Sequence, residues 1–370
     1  MNIRIYSTVP SPYQRDFFLA LAGMPEVELE VFYYEAAAPD SPWPAPALAS
    51  FEQILTGGCL GRGRLRCHWH RKLPPQVPGQ EVIINAALTD LTTQWLMRRH
   101  RQWWFWGELI RSGHDGLAAR VRRALARPLA HAKGIFAVGR VAASDYAHRF
   151  NGVRVINLPY HCRLEEFFAI DREPVPAGSQ LAQPSARTQQ TPELTLLFCG
   201  QMIERKGIDI LLGAFARAIE NGLSLRLLLA GREDRIQERL ADLPNASRHR
   251  IEVVGFVAPE DLPTLFRRAD LMILPSRHDG WGVVINQAMA AGLPVIATSA
   301  VQAAAELVEP GGGGWLVAPG DAIALMGAIE DACRTQRSGL LHTMGRFNRN
   351  QARRITPEAG ARLLYDSMRS

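Results

Sequence analysis

The run Pro275-Ser276-Arg277-His278-Asp279-Gly280-Trp281-Gly282-Val283-Val284-Ile285-Asn286-Gln287-Ala288-Met289-Ala290-Ala291-Gly292-Leu293-Pro294-Val295-Ile296 restricts the fold more than any other stretch. It reads as a strand end, an acidic glycine-rich turn, a helix, a glycine stop and a second strand opened by proline. Two strands joined through a helix lie parallel in one sheet. In this order Gly280 and Gly282 are expected at a helix N-terminus. Their bare N–H groups, with the positive end of the helix dipole, can hold a phosphate there. Asp279 guards the turn and Gln287 sits two helical turns inside it.

The same alternation of short apolar runs and helical patterns continues through the chain, the mark of parallel α/β sheets. Strands are expected at Ile3–Ser7, Val27–Tyr34, Glu81–Asn85, Trp103–Trp106, Gly134–Val138 and Val153–Leu158, then at Leu194–Cys199, Leu225–Ala230, Ile251–Val254, Leu271–Leu274, Val295–Thr298 and Trp315–Val317. A polar stretch rich in Pro, Gln, Ser and Ala separates the two sets and reads as a linker at 171–192. The expected division is a first domain at 1–170 and a second at 193–352, with a last helix, about 353–370, packing back on the first. Open α/β sheets bind ligands at their strand carboxyl ends, so a cleft between facing domains is the default site. The run Gly311–Gly314 leads into a strand and not a helix, so it reads as a flexible turn, not a dinucleotide fingerprint.

Hydrophobic residues make up 47% of 370, enough for real cores and far from a disordered composition. No apolar run reaches the ~20 residues of a membrane helix. Met1–Tyr6 enters a strand pattern directly, so no signal peptide is expected. The five cysteines (Cys59, Cys67, Cys162, Cys199, Cys333) lack paired spacing, which suits a reduced, cytoplasmic chain without structural zinc. Of the net charge of +6, nearly all the cations are arginine; lysine stands only at Lys72, Lys133 and Lys206. Arg98, Arg99, Arg101, Arg111, Arg120, Arg122, Arg123, Arg127 and Lys133 crowd the first half. Such a field suits an anionic partner such as a phospholipid surface or a polyprenyl diphosphate; no basic-aromatic motif accompanies it, which argues against nucleic acid. An ordinary solvated arginine surface is the plain alternative.

A second signature is Leu196-Leu197-Phe198-Cys199-Gly200-Gln201-Met202-Ile203-Glu204-Arg205-Lys206-Gly207. A strand ends at Gly200, the loop holds two adjacent cations, and Gly207 opens an amphipathic helix through Ile208, Leu211, Leu212 and Phe215. Cations so placed can neutralise a diphosphate leaving group, which gains charge as its bond breaks.

Together the two signatures resemble the donor site of the retaining glycosyltransferases of family 4, which have the GT-B fold: two Rossmann-like parallel-sheet domains facing a central cleft. The family pattern is Pro-Ser, then Glu-Gly-Phe-Gly, a second Glu two helical turns on, then Ala-Met-Ala and Gly-x-Pro-Val. Here Asp279 stands at the first Glu, Gln287 at the second and Trp281 at the aromatic, within Gly280–Val283. The resemblance implies that Asp279 holds sugar hydroxyls and Gln287 ribose hydroxyls. It implies that Lys206 contacts the diphosphate, with Gln201 replacing the family's Arg and Arg205 compensating. Gly231, in Ala230-Gly231-Arg232-Glu233-Asp234, and Gly255 with Phe256 would line the nucleotide; Phe256 reads equally well as a core aromatic.

In the first half, Ser11, Pro12 and Tyr13 follow the first strand, where the family's loop approaches donor phosphate and acceptor; here it carries prolines and no glycine. Glu108 follows Trp103-Trp104-Phe105-Trp106-Gly107, near where many relatives place a functional His; in this chain His114 is the nearest downstream. Glu108 is the candidate to orient an acceptor hydroxyl, and the aromatics read as core. Leu117, Val121, Leu125 and Leu129 form one helical stripe opposite Arg120, Arg123 and Arg127, with Pro128 ending or kinking the helix. Such a helix either half-buries its apolar stripe or rests on anionic lipid.

The expected activity is therefore transfer of a sugar from a nucleotide-diphosphate sugar to a glycan or polyprenyl-linked acceptor, with retention and without a metal or other cofactor, in cell-surface polysaccharide or glycolipid synthesis. The expected location is the cytoplasm, either free or peripheral on the inner face of the membrane. The alternatives are a nucleotide-sugar epimerase or hydrolase on the same fold, told apart by acceptor-independent turnover, and a non-catalytic binding subunit, told apart by donor binding without turnover.

Overall fold

The computed structural model describes residues 1–37, 46–62, 65–75, 77–100, 102–110, 116–172, 193–232 and 235–370. Arg101, Arg111, His114, Glu233, Asp234 and all of the expected linker beyond residue 172 lie outside the described residues. The chain forms two compact units, one of residues 1–163 with 356–370 and one of residues 164–355.

The first unit is built on β1 (Asn2–Ser7), α1 (Pro12–Ala22), β2 (Glu28–Tyr33), β3 (Glu52–Ile54), β4 (Gly58–Arg62), β5 (Leu65–Trp69), β6 (Glu81–Asn85), α2 (Leu91–Arg99), β7 (Trp104–Gly107), α3 (Leu117–Ala126), β8 (Gly134–Ala137), α4 (Arg140–Arg149) and β9 (Arg154–Asn157). Its sheet runs β3-β2-β1-β6-β7-β8-β9, and every neighbouring pair is parallel. The chain reverses direction across the sheet between β1 and β6. Ile3, Ile5, Val82, Ile83 and Ile84 are fully buried, as strands covered on both faces require. The aromatic run alternates across β7. Trp103 and Phe105 join the core cluster on one face, while Trp104 stacks on Phe136 (4.9 Å) and Trp106 packs on Phe17 (4.9 Å) on the other. These rings are core. The last helix, α14 (Pro357–Arg369), packs on α1; a Cβ at Gly360 would come within 2.6 Å of the His161 ring.

β3 and the antiparallel β4–β5 hairpin are absent from the strands expected from sequence. Their residues include Gly58, Gly61, Arg66 and His68, so no apolar alternation marks them. The hairpin is held instead by side chains. Asp90 accepts from both the backbone N–H and Nδ1 of His68 (2.9 and 2.8 Å), and Arg66 pairs with Glu35.

The second unit contains α5 (Glu165–Phe168), β10 (Leu194–Cys199), α6 (Ile208–Glu220), β11 (Leu225–Ala230), α7 (Ile236–Ala241), α8 (Asn245–Arg248), β12 (Ile251–Gly255), α9 (Leu262–Arg267), β13 (Leu271–Leu274), α10 (Val284–Ala290), β14 (Val295–Thr298), α11 (Gln302–Leu307), β15 (Gly314–Val317), α12 (Ala322–Arg337) and α13 (Leu340–Ala352). Its sheet order is β12-β11-β10-β13-β14-β15, all parallel, so this chain reverses between β10 and β13. Each unit is thus a doubly wound Rossmann-like sheet. All twelve strands expected from sequence are present within a residue or two of their predicted ends.

The four-glycine run is closely packed only in its second half, since nothing lies within 4 Å of a Cβ at Gly311. A Cβ at Gly313 would lie 2.1 Å from Asn348 Oδ1, and one at Gly314 would lie 2.0 Å from the Val295 carbonyl.

Candidate nucleotide-sugar site

Four loops leave the carboxyl ends of adjacent strands in the second unit, and backbone hydrogen bonds lock them to one another. Gly200 N–H donates to Ala230 O (2.9 Å), Met202 N–H to Arg232 O (3.1 Å), Gly231 N–H to Gly255 O (2.7 Å) and Arg277 N–H to Arg205 O (2.9 Å). The β10 and β13 loops flank the point where strand order reverses. At such a point the helices diverge to opposite faces and leave a crevice above the sheet.

Glycine is required at two of these crossings. Gly207 has φ +73° and its Cβ would sit 2.0 Å from Pro275 O; Gly231 has φ +134° and its Cβ would sit 2.0 Å from Gly200 O. Any side chain at either position would drive the loops apart. The positions of these glycines therefore set how closely the β10 loop approaches its neighbours.

Lys206 and Asp279 meet at the strand-order reversal. The Lys206 ammonium donates directly to Asp279 Oδ2, and both side chains are mostly buried. The two residues, far apart in sequence, thus form a single charged unit. Asp279 is fixed from behind because its N–H donates to Ala300 O (3.1 Å). It does not cap a helix. Arg205 donates to the carbonyl of His278 (3.1 Å), the residue before Asp279. Arg277 grips Asp209 with two bonds of 2.7 Å, and its guanidinium holds that carboxyl below the ordinary range. Burial pushes the Cys199 thiol up to about 12, with Lys206 pulling the other way, so it remains a thiol at neutral pH.

The glycine-rich turn differs from expectation. Helix α10 begins at Val284, so Gly280 and Gly282 stand before the helix and do not form its first turn. The physical reason is the Asp279 bridge to Val301, which keeps the chain extended at that point. Gly282 follows with φ +95°, and its Cβ would come within 2.7 Å of Val301 Cγ1. Trp281 points into the core: its indole is 2% exposed and donates to Asn286 Oδ1 (3.0 Å). What Trp281 and Val283 bring to the loop is main chain. Gln287 is 6% exposed, and among the described residues no hydrogen bond engages its side-chain amide. Phe256, by contrast, is 50% exposed at the end of β12, which removes the core reading.

Gln201 follows Gly200 at the β10 end and is partly buried. Sequence reasoning missed Ser276, which is fully buried and whose hydroxyl finds no partner among the described residues, and Thr298, whose hydroxyl donates to Ser276 O (2.5 Å). Ser276 was visible as the residue after Pro275. Thr298 carried only the signal of a polar residue ending a buried strand.

In the first unit, Ser11 precedes α1 without a side-chain cap, and Pro12 occupies the first helical position, where its missing N–H costs nothing. Tyr13 therefore lies in the first turn of a helix and not in a loop. The strand ends around it carry an amide network. Gln14 Nε2 donates to Asn85 Oδ1 (2.7 Å), Ser7 Oγ lies 3.2 Å from the same atom, and Asn85 Nδ2 donates to Trp106 O (3.0 Å). Glu108 accepts from Tyr160 (3.2 Å); burial and that carboxylate hold the Tyr160 phenol well above its usual range. Ser7, Gln14, Asn85 and Tyr160 were not singled out from sequence, although Ser7 and Asn85 both end buried strands.

The fold and this site define a class: a protein of two Rossmann-like units whose second sheet carries a glycine-shaped, cation-bearing crevice at its strand-order reversal. Residues 193–335 match the family model described as Glycosyl transferases group 1. An uncharacterized glycosyltransferase of Methanocaldococcus jannaschii is 35% identical over 112 residues, covering 30% of this chain and 28% of that protein. The phosphatidyl-myo-inositol mannosyltransferase of Mycobacterium leprae is 31% identical over 198 residues, covering 52% of this chain and 49% of that protein. The chain thus spans half or less of the length of these curated relatives. A solved sucrose-phosphate synthase from Thermosynechococcus elongatus superposes with a TM-score of 0.70 at 21% identity, over 100% of this chain and 98% of that one. The fold is GT-B, and the match to the glycosyl transferases group 1 model lies within the second unit.

Proposed function

We propose that this protein is a retaining glycosyltransferase of family 4 that moves a sugar from a nucleotide-diphosphate sugar to a glycan or polyprenyl-linked acceptor, in cell-surface polysaccharide or glycolipid synthesis. The observation that carries this reading is the Lys206–Asp279 pair at the reversal of the second sheet. In the absence of donor each charge neutralises the other. An incoming diphosphate takes over the lysine and frees the Asp279 carboxylate to accept from sugar hydroxyls. Arg205 and the loop N–H groups add positive potential where the leaving group gains charge. The unengaged Gln287 amide can donate to and accept from ribose hydroxyls. Gly231, Gly255 and the exposed ring of Phe256 line the base end.

The bond from the anomeric carbon to the diphosphate oxygen breaks, and the acceptor oxygen bonds that carbon on the same face. The acceptor proton goes to the departing phosphate. Lys206 and Arg205 meet the developing charge, so the reaction is proposed to run without a metal ion. The first unit is proposed to hold the acceptor, with Glu108, oriented by Tyr160, and the Ser7–Gln14–Asn85 network as its hydroxyl-binding groups.

A peripheral site on the inner membrane face is part of the proposal. Leu117 is 79% exposed and Val121 48%, so the first half of the apolar stripe stands clear of the core, while Leu125 is half-buried and Leu129 is buried in it. That first half stands among exposed Arg120, Arg123 and Arg127, a combination suited to anionic lipid. Sedimentation with vesicles tests this part: binding to anionic but not neutral vesicles is expected, and equal binding to both contradicts it.

The test of the activity is a thermal-shift screen against UDP-, GDP-, ADP- and dTDP-sugars, followed by product analysis with an acceptor panel. One donor should raise the melting temperature by mass action and yield a glycoside with the donor's anomeric configuration. Donor consumption that does not depend on any acceptor would contradict the transferase reading.

A further inference from the structure

Helix α13 and its C-cap residue carry His342, Arg346, Arg349 and Arg353, spaced so that all four fall on one face. This face lines a cavity of about 960 Å³, closed on another side by Asp171 and Arg172. The cavity belongs to the second unit and shares no residue with the crevice at the strand-order reversal.

Elsewhere in the chain, arginines find carboxylates, as in Arg15–Glu52, Arg66–Glu35, Arg277–Asp209 and Arg268–Glu252. Among the described residues, no carboxylate lies within ion-pair distance of Arg172, Arg346, Arg349 or Arg353. Two of these have structural work. Arg172 donates to Ala291 O (2.5 Å), Ala269 O (2.9 Å) and Phe266 O (2.5 Å), at the ends of α10 and α9. Arg349 donates to the Ile170 carbonyl (2.9 Å) and to that of Phe168. Those carbonyls satisfy hydrogen bonds but leave the net charges in place. Burial, with repulsion from Arg349 and Arg267, lowers Arg172 to about 10 despite the pull of Asp270. Arg353 lies over the Phe168 ring (5.5 Å), and among the described residues Arg346 and His342 make no hydrogen bond or ion pair. Like charges stacked three and four apart destabilise a helix. Packing therefore does not account for the outer half of this stripe.

We propose that this cavity is a second anion site, which takes a ligand bearing a chain of two or more phosphate groups. The reasons are reach and geometry. From residue 342 to 353 the stripe runs ~16 Å along the helix, several times the width of a single phosphate. Each guanidinium presents a planar fork that fits phosphate oxygens in pairs. The cavity volume is also large enough for a ligand of nucleotide or triphosphate size. Arg346 and Arg353, exposed at the rim, make the first contacts, while Arg172 and Arg349 supply fixed positive potential from the floor. The ligand's source, a free polyphosphate, a nucleotide or a diphosphate headgroup, shares this chemistry.

The test is calorimetric titration of the full chain with inorganic tripolyphosphate, ADP and inorganic phosphate. Three proteins are compared: the unaltered chain, Arg346→Gln/Arg353→Gln, and Lys206→Ala. Tripolyphosphate is expected to bind more tightly than phosphate, to weaken at least tenfold in the double variant, and to persist in Lys206→Ala. ADP that behaves as tripolyphosphate does identifies a nucleotide source; ADP unaffected by the double variant favours a plain phosphate chain. Arg346→Gln alone, at an exposed side chain, provides the same readout if the double variant loses thermal stability. Tripolyphosphate affinity that is unchanged by the arginine variants, or is lost with Lys206→Ala, overturns the proposal. Because Lys206→Ala acts only on the first crevice, failure of this site and failure of the transferase reading give different patterns.

Discussion

The two sheets reverse their strand order at equivalent places, between β1 and β6 and between β10 and β13, yet they fill those places differently. In the first unit, Ser7, Gln14 and Asn85 close the point with neutral groups that bond one another, and a proline-started helix follows. In the second, backbone approaches within reach of Gly207 and Gly231, and the side chains left at the point are a cation and a carboxylate. The same scaffold thus offers hydroxyl-matching amides on one sheet and phosphate-matching charge on the other. The difference lies in which residues end the strands, not in the sheets themselves.

If that contrast is right, the largest effect comes from dismantling the charged point. Lys206→Ala and Asp279→Ala are each expected to lower kcat by roughly two to three orders of magnitude, about 2.7–4 kcal/mol of transition-state stabilisation. Steady-state transfer assays check this, and turnover equal to that of the unaltered protein would remove both residues from the chemistry.

Next is the loop geometry. Gly207→Ala puts a Cβ at a positive φ and against the Pro275 carbonyl, so a loss of more than about 2 kcal/mol is expected in denaturant unfolding. An unperturbed midpoint would mean the loops have slack.

A third change sharpens the contrast from the other side. Asn85→Ala strands Gln14 and the Trp106 carbonyl, at a cost of about 1–3 kcal/mol. It should raise KM for the acceptor and leave nucleotide affinity unchanged. A shift in nucleotide affinity would contradict the division of labour.

A smaller effect is expected from acid. Arg277 holds Asp209 below its unfolded value, so the pair contributes stability above about pH 4 that is lost as pH falls further. Both side chains are about a third exposed, so the contribution stays under about 1 kcal/mol. Asp209→Asn should flatten the acid limb of a melting-temperature profile. The smallest effect is chelation: EDTA is expected to leave the transfer rate unchanged, and a rate restored only by added divalent cation would refute metal-independent transfer.

Much of this was legible in the sequence because buried parallel strands are short apolar runs, and all twelve such runs became strands. The hairpin of β4 and β5 was not legible, because side-chain bonds from Asp90 and Glu35 hold it in place of a hydrophobic face. Lys206, Asp279 and Gln287 could be picked from their spacing to glycines. Their pairing could not, since residues more than seventy positions apart meet only through sheet order. Trp281 shows the limit of motif reading: its place in the signature was clear, but its indole is anchored on Asn286 inside the core. The α3 stripe was readable as amphipathic, whereas its exposure depends on what the sheet leaves uncovered.

The central claim is that the charged point of the second sheet holds the diphosphate of an activated sugar. Titration of UDP, GDP, ADP and dTDP into the unaltered protein and Lys206→Ala tests it most directly. The account predicts that one base binds well and loses at least tenfold in affinity in the variant. Four bases that fail to bind, or one that binds both proteins equally, would contradict it.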